Sequence, residues 1–181
     1  MEKRNYPFLL TFICLSILSS CKIKDKINEA LTFDFTQNTS FTLPSSSIID
    51  LPIDIGTPDI NSSSQQAFDN NNTSVRLVER IVLSSLDLTI TSPDDRTFAF
   101  LKSIKIYIRT NDNNEILLAE KQNSAENTGS TISLDTTGEN IKTYVAADSF
   151  SLRYEVITQK TTNSKTDITA AMVFTVNAKV L

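Results

Sequence analysis

Apolar and polar residues alternate with a period of two through most of the chain after residue 30, which is the signature of half-buried strands. Leu31, Phe33 and Phe35 alternate with Thr32, Asp34 and Thr36, and Phe41 with Leu43 marks a second short strand before Pro44 and the serines at 45–47 interrupt it. Residues 48–55 read as an edge strand, because Pro52 has no N–H to give a central ladder. The stretch 61–74 is rich in Ser, Asn and Gln and reads as a polar loop with Phe68 as its apolar anchor. Leu86, Leu88 and Ile90 then alternate with Asp87, Thr89 and Thr91, and Ser92-Pro93-Asp94-Asp95 supplies a turn. Phe98, Phe100 and Leu101 head for the core. Ile104, Ile106 and Ile108 point one way while Lys105, Tyr107 and Arg109 point the other, and the turn at 111–114 leads into a hairpin partner over 115–121. Ile132 and Leu134 begin another strand. One short helix is predicted after Thr137 as cap, with Ile141, Tyr144 and Val145 on one face. Phe150, Leu152, Tyr154 and Val156 form one inward row, and Ile168, Ala170, Met172, Phe174, Val176 and Ala178 another, joined by 161–165. The last strand is long enough to expose an edge open to strand addition.

These elements predict an all-β fold. Specifically, they predict an antiparallel β-sandwich, immunoglobulin-like, with about seven to eight mostly hairpin-linked strands and one short helix. The 181 residues are 40% hydrophobic and 21% charged, enough for one packed domain. Histidine is absent, which removes Ser-His-Asp and Cys-His catalysis and histidine-ligated metals. Three scattered glycines cannot build a phosphate-binding loop. A formal charge of −4 argues against nucleic acid as a partner.

The amino-terminal end reads as an address. Lys3 and Arg4 precede an uncharged run from Pro7 to Leu18, too short for the roughly 20 residues that span a bilayer but suited to a signal peptide. The run ends Leu18-Ser19-Ser20-Cys21, which resembles the lipobox of bacterial lipoproteins. That resemblance implies cleavage between Ser20 and Cys21 and acylation of Cys21, palmitate being a typical chain. Cleavage would remove Glu2, Lys3 and Arg4, so that 17 − 2 basic and 21 − 1 acidic side chains leave a charge of −5. Cys14 would depart with the signal, leaving no thiol free for a disulfide. The organisation expected is therefore a signal peptide over 1–20, a lipidated cysteine and tether over 21–30, and one sandwich domain over 31–181. Nine tether residues reach about 30 Å. Lys22 stands where inner-membrane lipoproteins often carry aspartate, which implies the outer membrane. The net basic run from Lys22 to Lys26 implies the periplasm-facing leaflet, with surface exposure as the alternative.

Leu83-Ser84-Ser85-Leu86-Asp87-Leu88-Thr89-Ile90-Thr91-Ser92-Pro93, the run from Phe98 to Ile108, and Tyr144-Val145 with Asp148-Ser149-Phe150-Ser151-Leu152-Arg153 resemble a group of small uncharacterised Gram-negative envelope lipoproteins. The resemblance spans roughly 41–181 and implies fold and location only.

Candidate chemistry is thin. Asp112-Asn113-Asn114-Glu115 and Asp69-Asn70-Asn71-Asn72 lack the glycine and the twelfth-position glutamate of a calcium loop, and turn formation explains both. Asp94 and Asp95 read as a solvated turn rather than a glycosidase pair. Asp135-Thr136-Thr137 resembles a minimal glycosylation site of exported bacterial proteins, and helix capping explains it equally well. No cofactor, metal or catalytic residue is assigned. The side chains suited to surface contact are Tyr107, Arg109, Arg153 and Tyr154, aromatics flanked by charge. The expected function is a non-enzymatic interaction or scaffold module, membrane-held through its lipid and contacting an envelope protein or glycan. The alternatives are a carrier or sensor of lipid or glycan, and an accessory hydrolase.

Overall fold

The computed structural model describes residues 31–111, 113–122 and 129–179; the expected signal peptide, Ser20, Cys21 and the expected tether lie outside the described residues. Ten strands are described: β1 (Leu31–Leu43), β2 (Pro52–Gly56), β3 (Ile60–Asn61), β4 (Val78–Ser92), β5 (Leu101–Arg109), β6 (Ile116–Gln122), β7 (Thr131–Ser133), β8 (Asp135–Thr136), β9 (Ser149–Thr158) and β10 (Thr166–Ala178). Two short helices, α1 (Ser64–Asn70) and α2 (Lys142–Val145), join them. All the strand pairings are antiparallel, as the sequence pattern predicts. One sheet runs β1-β10-β4-β7, the other β2-β9-β5-β6-β8 with β3 also on β9.

Period-two alternation carries the packing. Ile81, Leu83, Leu86, Leu88 and Ile90 of β4 and the even residues from Ile168 to Val176 of β10 are buried on the inner face of the first sheet. Ile104, Ile106 and Ile108 of β5 and Phe150, Leu152, Tyr154 and Val156 of β9 meet them from the second, in one continuous apolar cluster. Side chains of this size contribute about 1.5–3 kcal/mol each on burial. Phe41 of β1 stacks on Tyr154 of β9 across the interior, with ring centroids 3.8 Å apart and planes inclined by 20°.

Several expectations change. The two short strands read at 31–36 and 41–43 are one unbroken strand, because Gln37, Asn38, Thr39 and Ser40 all pair in register with β10. Residues 48–51 are not strand: contiguous Ile48 and Ile49 cannot both face inward, and β2 begins only at Pro52. The 61–74 loop contains α1, which carries buried Phe68 against Phe33 at 6.5 Å, edge to face. Thr137 does not cap a helix, since its hydroxyl donates to the Leu117 and Leu118 carbonyls at 3.3 Å each. Asn140 takes the neighbouring task, its Oδ1 accepting from the Lys142 and Ile81 N–H groups at 3.2 Å each. Residues 159–165 carry the chain from β9 in one sheet to β10 in the other. The final strand is not an edge, as β10 pairs with β1 on one side and β4 on the other.

Tyr154, expected at the surface, is fully buried. Its neighbours in the sequence, Arg153 and Glu155, occupy the outward positions of β9, so parity sends the ring inward. Its hydroxyl has no hydrogen-bond partner among the described residues, and burial pushes its pKa up. An unpaired buried hydroxyl opposes folding, so Tyr154→Phe is expected to raise stability by about 1 kcal/mol. Tyr154→Ala, which removes the ring that Phe41 stacks on, is expected to cost about 3–5 kcal/mol. Thermal unfolding of the two variants checks both signs.

Candidate functional site

The outward face of the second sheet gathers most of the paired charge. Its pattern follows from the same alternation: Lys105, Tyr107 and Arg109 stand between buried isoleucines on β5, and Ser151, Arg153 and Glu155 between buried residues on β9. The antiparallel register sets Lys105 opposite Glu155, Tyr107 opposite Arg153 and Arg109 opposite Ser151. Each rung is a contact. Lys105 Nζ lies 4.0 Å from Glu155 Oε1, the Arg153 guanidinium lies 4.1 Å from the Tyr107 ring centre, and Arg109 Nε donates to Ser151 Oγ at 3.3 Å.

Arg153 is the hub. Its Nε donates to Glu115 Oε1 and Oε2 at 3.1 and 3.0 Å, and its Nη2 donates to Glu115 Oε1 at 2.6 Å. Its Nη1 donates to Asp54 Oδ1 on β2 at 2.5 Å and lies 3.6 Å from Glu155 Oε2. Glu115 reaches this position because Asn114 Oδ1 accepts the Thr110 and Asn111 N–H groups at 3.0 Å each, folding the β5–β6 turn back on itself. The hydrogen bonds from Arg153 hold the Glu115 carboxyl below its ordinary 4.5, against a smaller opposing effect of burial. The Arg153 pKa is raised, first by Glu115. The guanidinium therefore clamps β2, β9, β5 and the start of β6, and its donors point at this chain's own carboxylates.

Three of the four residues expected at a contact surface, Tyr107, Arg109 and Arg153, thus come together. They face one another, and the fourth, Tyr154, lies beneath them in the core. Nothing in the sequence pairs Asp54 or Glu115 with Arg153, from which they stand 99 and 38 positions away. Asp94 and Asp95 are exposed beside Pro93, as a solvated turn requires. Asp69 and Asn70 end α1, where Asn71 Nδ2 donates to the Ala67 carbonyl at 2.9 Å. Asp112 lies outside the described residues.

A second feature sits at the end of the sandwich away from Leu31. There Ile48, Ile49 and Leu51 are 53%, 45% and 59% exposed. The loop that presents them is tied on both sides. Ser46 and Thr162 exchange backbone hydrogen bonds of 3.0 and 2.9 Å, Thr158 Oγ1 donates to the Ile48 carbonyl at 3.0 Å, and the Asp50 N–H donates to the Thr158 carbonyl at 2.8 Å. Asp50 adopts a left-handed φ of 59°, which aspartate tolerates better than most residues, and Lys102 pairs with its carboxylate at 2.6 Å. The sequence signal for this loop was present in Pro52 and the Ile48-Ile49 pair.

No family model matches the chain, and no curated protein matches it. Among solved structures, it is similar to the BFDV capsid protein in its 60-mer, with 10% identity, a TM-score of 0.42, and coverage of 85% of this chain and 96% of that one. It is similar to Desmodium yellow mottle tymovirus at 12% identity and a TM-score of 0.31, covering 83% and 90%. For turnip yellow mosaic virus the figures are 12%, 0.30, 82% and 84%. At such scores these likenesses carry no argument about this chain.

The clamp makes a pH-dependent prediction. Folded Glu115 binds its proton more weakly than the unfolded carboxyl, so its stabilisation is complete above the ordinary 4.5 and is lost as pH falls through the lower folded value. At neutral pH, Glu115→Gln is expected to cost about 1 kcal/mol, as a partly exposed pair does. The melting temperatures of variant and wild type should converge as the pH is lowered below 4.5. A constant gap across that range would show that the carboxylate is not what Arg153 needs.

Proposed function

We propose that this protein is a lipid-anchored lipoprotein of the cell envelope whose sandwich works as a non-enzymatic interaction module. The observation that carries the reading is the amino-terminal order of charge, short apolar run, Ser19-Ser20 and Cys21, ten positions before Leu31 opens β1. Two acyl chains or more on Cys21 supply the lasting attachment that one chain lacks. Lys22 favours the outer membrane, and the basic start of the tether favours the periplasm-facing leaflet.

The geometry supports an interaction role over carriage. A carrier needs space between its sheets, and the inner faces are filled by β4, β5, β9 and β10 side chains in one cluster. The apolar residues Ile48, Ile49 and Leu51 are held outward at the end of β1 opposite its Leu31 terminus. A tether leaving from Leu31 presents that loop toward envelope components away from the attachment point. Ile116, Leu117, Thr137 and Glu139 line an open cleft of about 430 Å³ at the surface, where a small apolar group would be the second reading's ligand.

Replacing Cys21 by Ser is expected to move the protein from the membrane fraction to the soluble periplasm and to abolish palmitate incorporation. A variant still in the membrane would overturn the anchor. Cross-linking in intact cells followed by affinity purification is expected to yield a protein or glycan partner that is lost from Ile48→Asp and Leu51→Asp variants. Recovery of a co-purifying lipid and no partner would replace the interaction reading with the carrier.

A further inference from the structure

Sheet edges are sites of unwanted pairing, and folds protect them by keeping them short or by placing proline or lysine there. Among the described residues three edges here follow that rule: β7 has three residues, β8 two, and β2 five opening on Pro52. β1 does not. It is a thirteen-residue edge strand in unbroken register with β10, and it contains no lysine, arginine or proline. Its one charge, Asp34, is turned toward β10 by a 2.6 Å hydrogen bond from Thr175 Oγ1.

The direction of its backbone groups follows from the neighbours. The Lys179 N–H donates to the Leu77 carbonyl at the start of β4, so odd residues of β10 bond toward β4 and even ones toward β1. Even residues of β10 pair with odd residues of β1, which leaves the N–H and C=O groups of Thr32, Asp34, Thr36, Asn38, Ser40 and Thr42 facing outward. Consistent with this, Ser63 Oγ donates to the Thr36 carbonyl at 3.2 Å. Ser63 also reaches Gln37 Oε1 through its N–H at 3.1 Å and its hydroxyl at 2.9 Å. The entry to α1 therefore closes the edge at Thr36. Beyond it, among the described residues, the outward backbone groups of Asn38, Ser40 and Thr42 stay open, apart from a long 3.4 Å contact from Gln37 Nε2 to the Asn38 carbonyl.

We propose that a second copy of this chain occupies this edge, pairing β1 with β1 antiparallel about a two-fold axis at Ser40. The tract fits itself. Asn38 then faces Thr42 of the second copy, Ser40 faces its counterpart, and Thr42 faces Asn38, giving about six backbone hydrogen bonds with no charge opposite a like charge. Leu43 of one copy lies opposite Gln37 of the other. Each strand thus stops at Pro44, where the other copy's edge is already closed by Ser63. A strand that continued past this point would meet that closed stretch. The lengths on the two sides of Ser40 match, and the two first sheets merge into one of eight strands. The pairing does not depend on the anchor.

The test is sedimentation equilibrium of the full chain in density-matched detergent, with thermal melting of each variant to confirm folding. Wild type is expected to dimerise. Asn38→Lys with Thr42→Lys sets like charges directly opposite one another in the dimer and is expected to weaken it roughly tenfold or more. Asn38→Asp with Thr42→Lys keeps the second substitution but sets opposite charges across the axis, and is expected to restore the dimer. Both positions are exposed, and the ammonium introduced by Thr42→Lys would stand beside Asp167, which already bonds Thr42. A wild-type monomer at every concentration would overturn the proposal. So would a dimer that responds equally to the two pairs of substitutions.

Discussion

The structure depends on where its last strand goes. β10 lies between β1 and β4 and pairs with both, so β1 joins the first sheet only through it. Its even side chains, from Ile168 to Val176, supply the middle of the inner face against which the second sheet packs. The pairing of Leu31 with Ala178 spans nearly the whole described chain. Loop closure of that length must precede the contacts that reward it, which makes this a slow-folding, high contact-order topology. Three one-residue register shifts let the fifteen residues of β4 pair with the twelve of β10 from Asp167 to Ala178.

On the other sheet a single side chain serves the comparable purpose. Arg153 draws carboxylates from β2 and from the β5–β6 turn onto the outer face of β9, while Tyr154, the next residue, goes through the sheet to Phe41. Two adjacent positions thus join different partners, one by charge-assisted hydrogen bonds in partly shielded solvent, the other by stacking in a dry interior. The outer network is internally satisfied. Tyr107, Arg109 and Arg153, the aromatic and cationic groups suited to surface contact, are engaged with this chain's own side chains. The apolar loop at 48–51 and the edge of β1 both leave groups facing outward.

The two ends of the domain differ in character. Leu31 and Ala178 lie together at one end, and the loops at 44–51, 92–97 and 159–165 lie at the other. Arg96 ties two of these distal loops, donating to the Ser164 carbonyl and to Ser164 Oγ at 2.8 Å each. The apolar loop at 48–51 lies at the far end, away from Leu31. It is built from backbone hydrogen bonds rather than from burial, which is why its aliphatic side chains are exposed.

Period-two alternation by itself determined that the chain is an all-β antiparallel sandwich, and it identified the inner rows of β5, β9 and β10 and the Leu86–Ile90 part of β4 residue by residue; the first half of β4, across a register shift at Ser84, it did not reveal. Those rows are legible because strand parity is local: each side chain's face follows from its neighbour's. The same parity already assigned Tyr154 to the core, and only the attraction of a tyrosine between two charges pulled it to the surface. Sequence also marked Pro52 as an edge residue, and that edge is real. What tertiary structure alone decided is which strands are neighbours. Nothing local separates β9 and β10 into opposite sheets, places β10 inside rather than at an edge, or brings Asp54 and Glu115 to Arg153. Those outcomes depend on hydrogen-bond partners and buried faces tens of residues away, and on a comparison among whole-chain arrangements that share the same alternation.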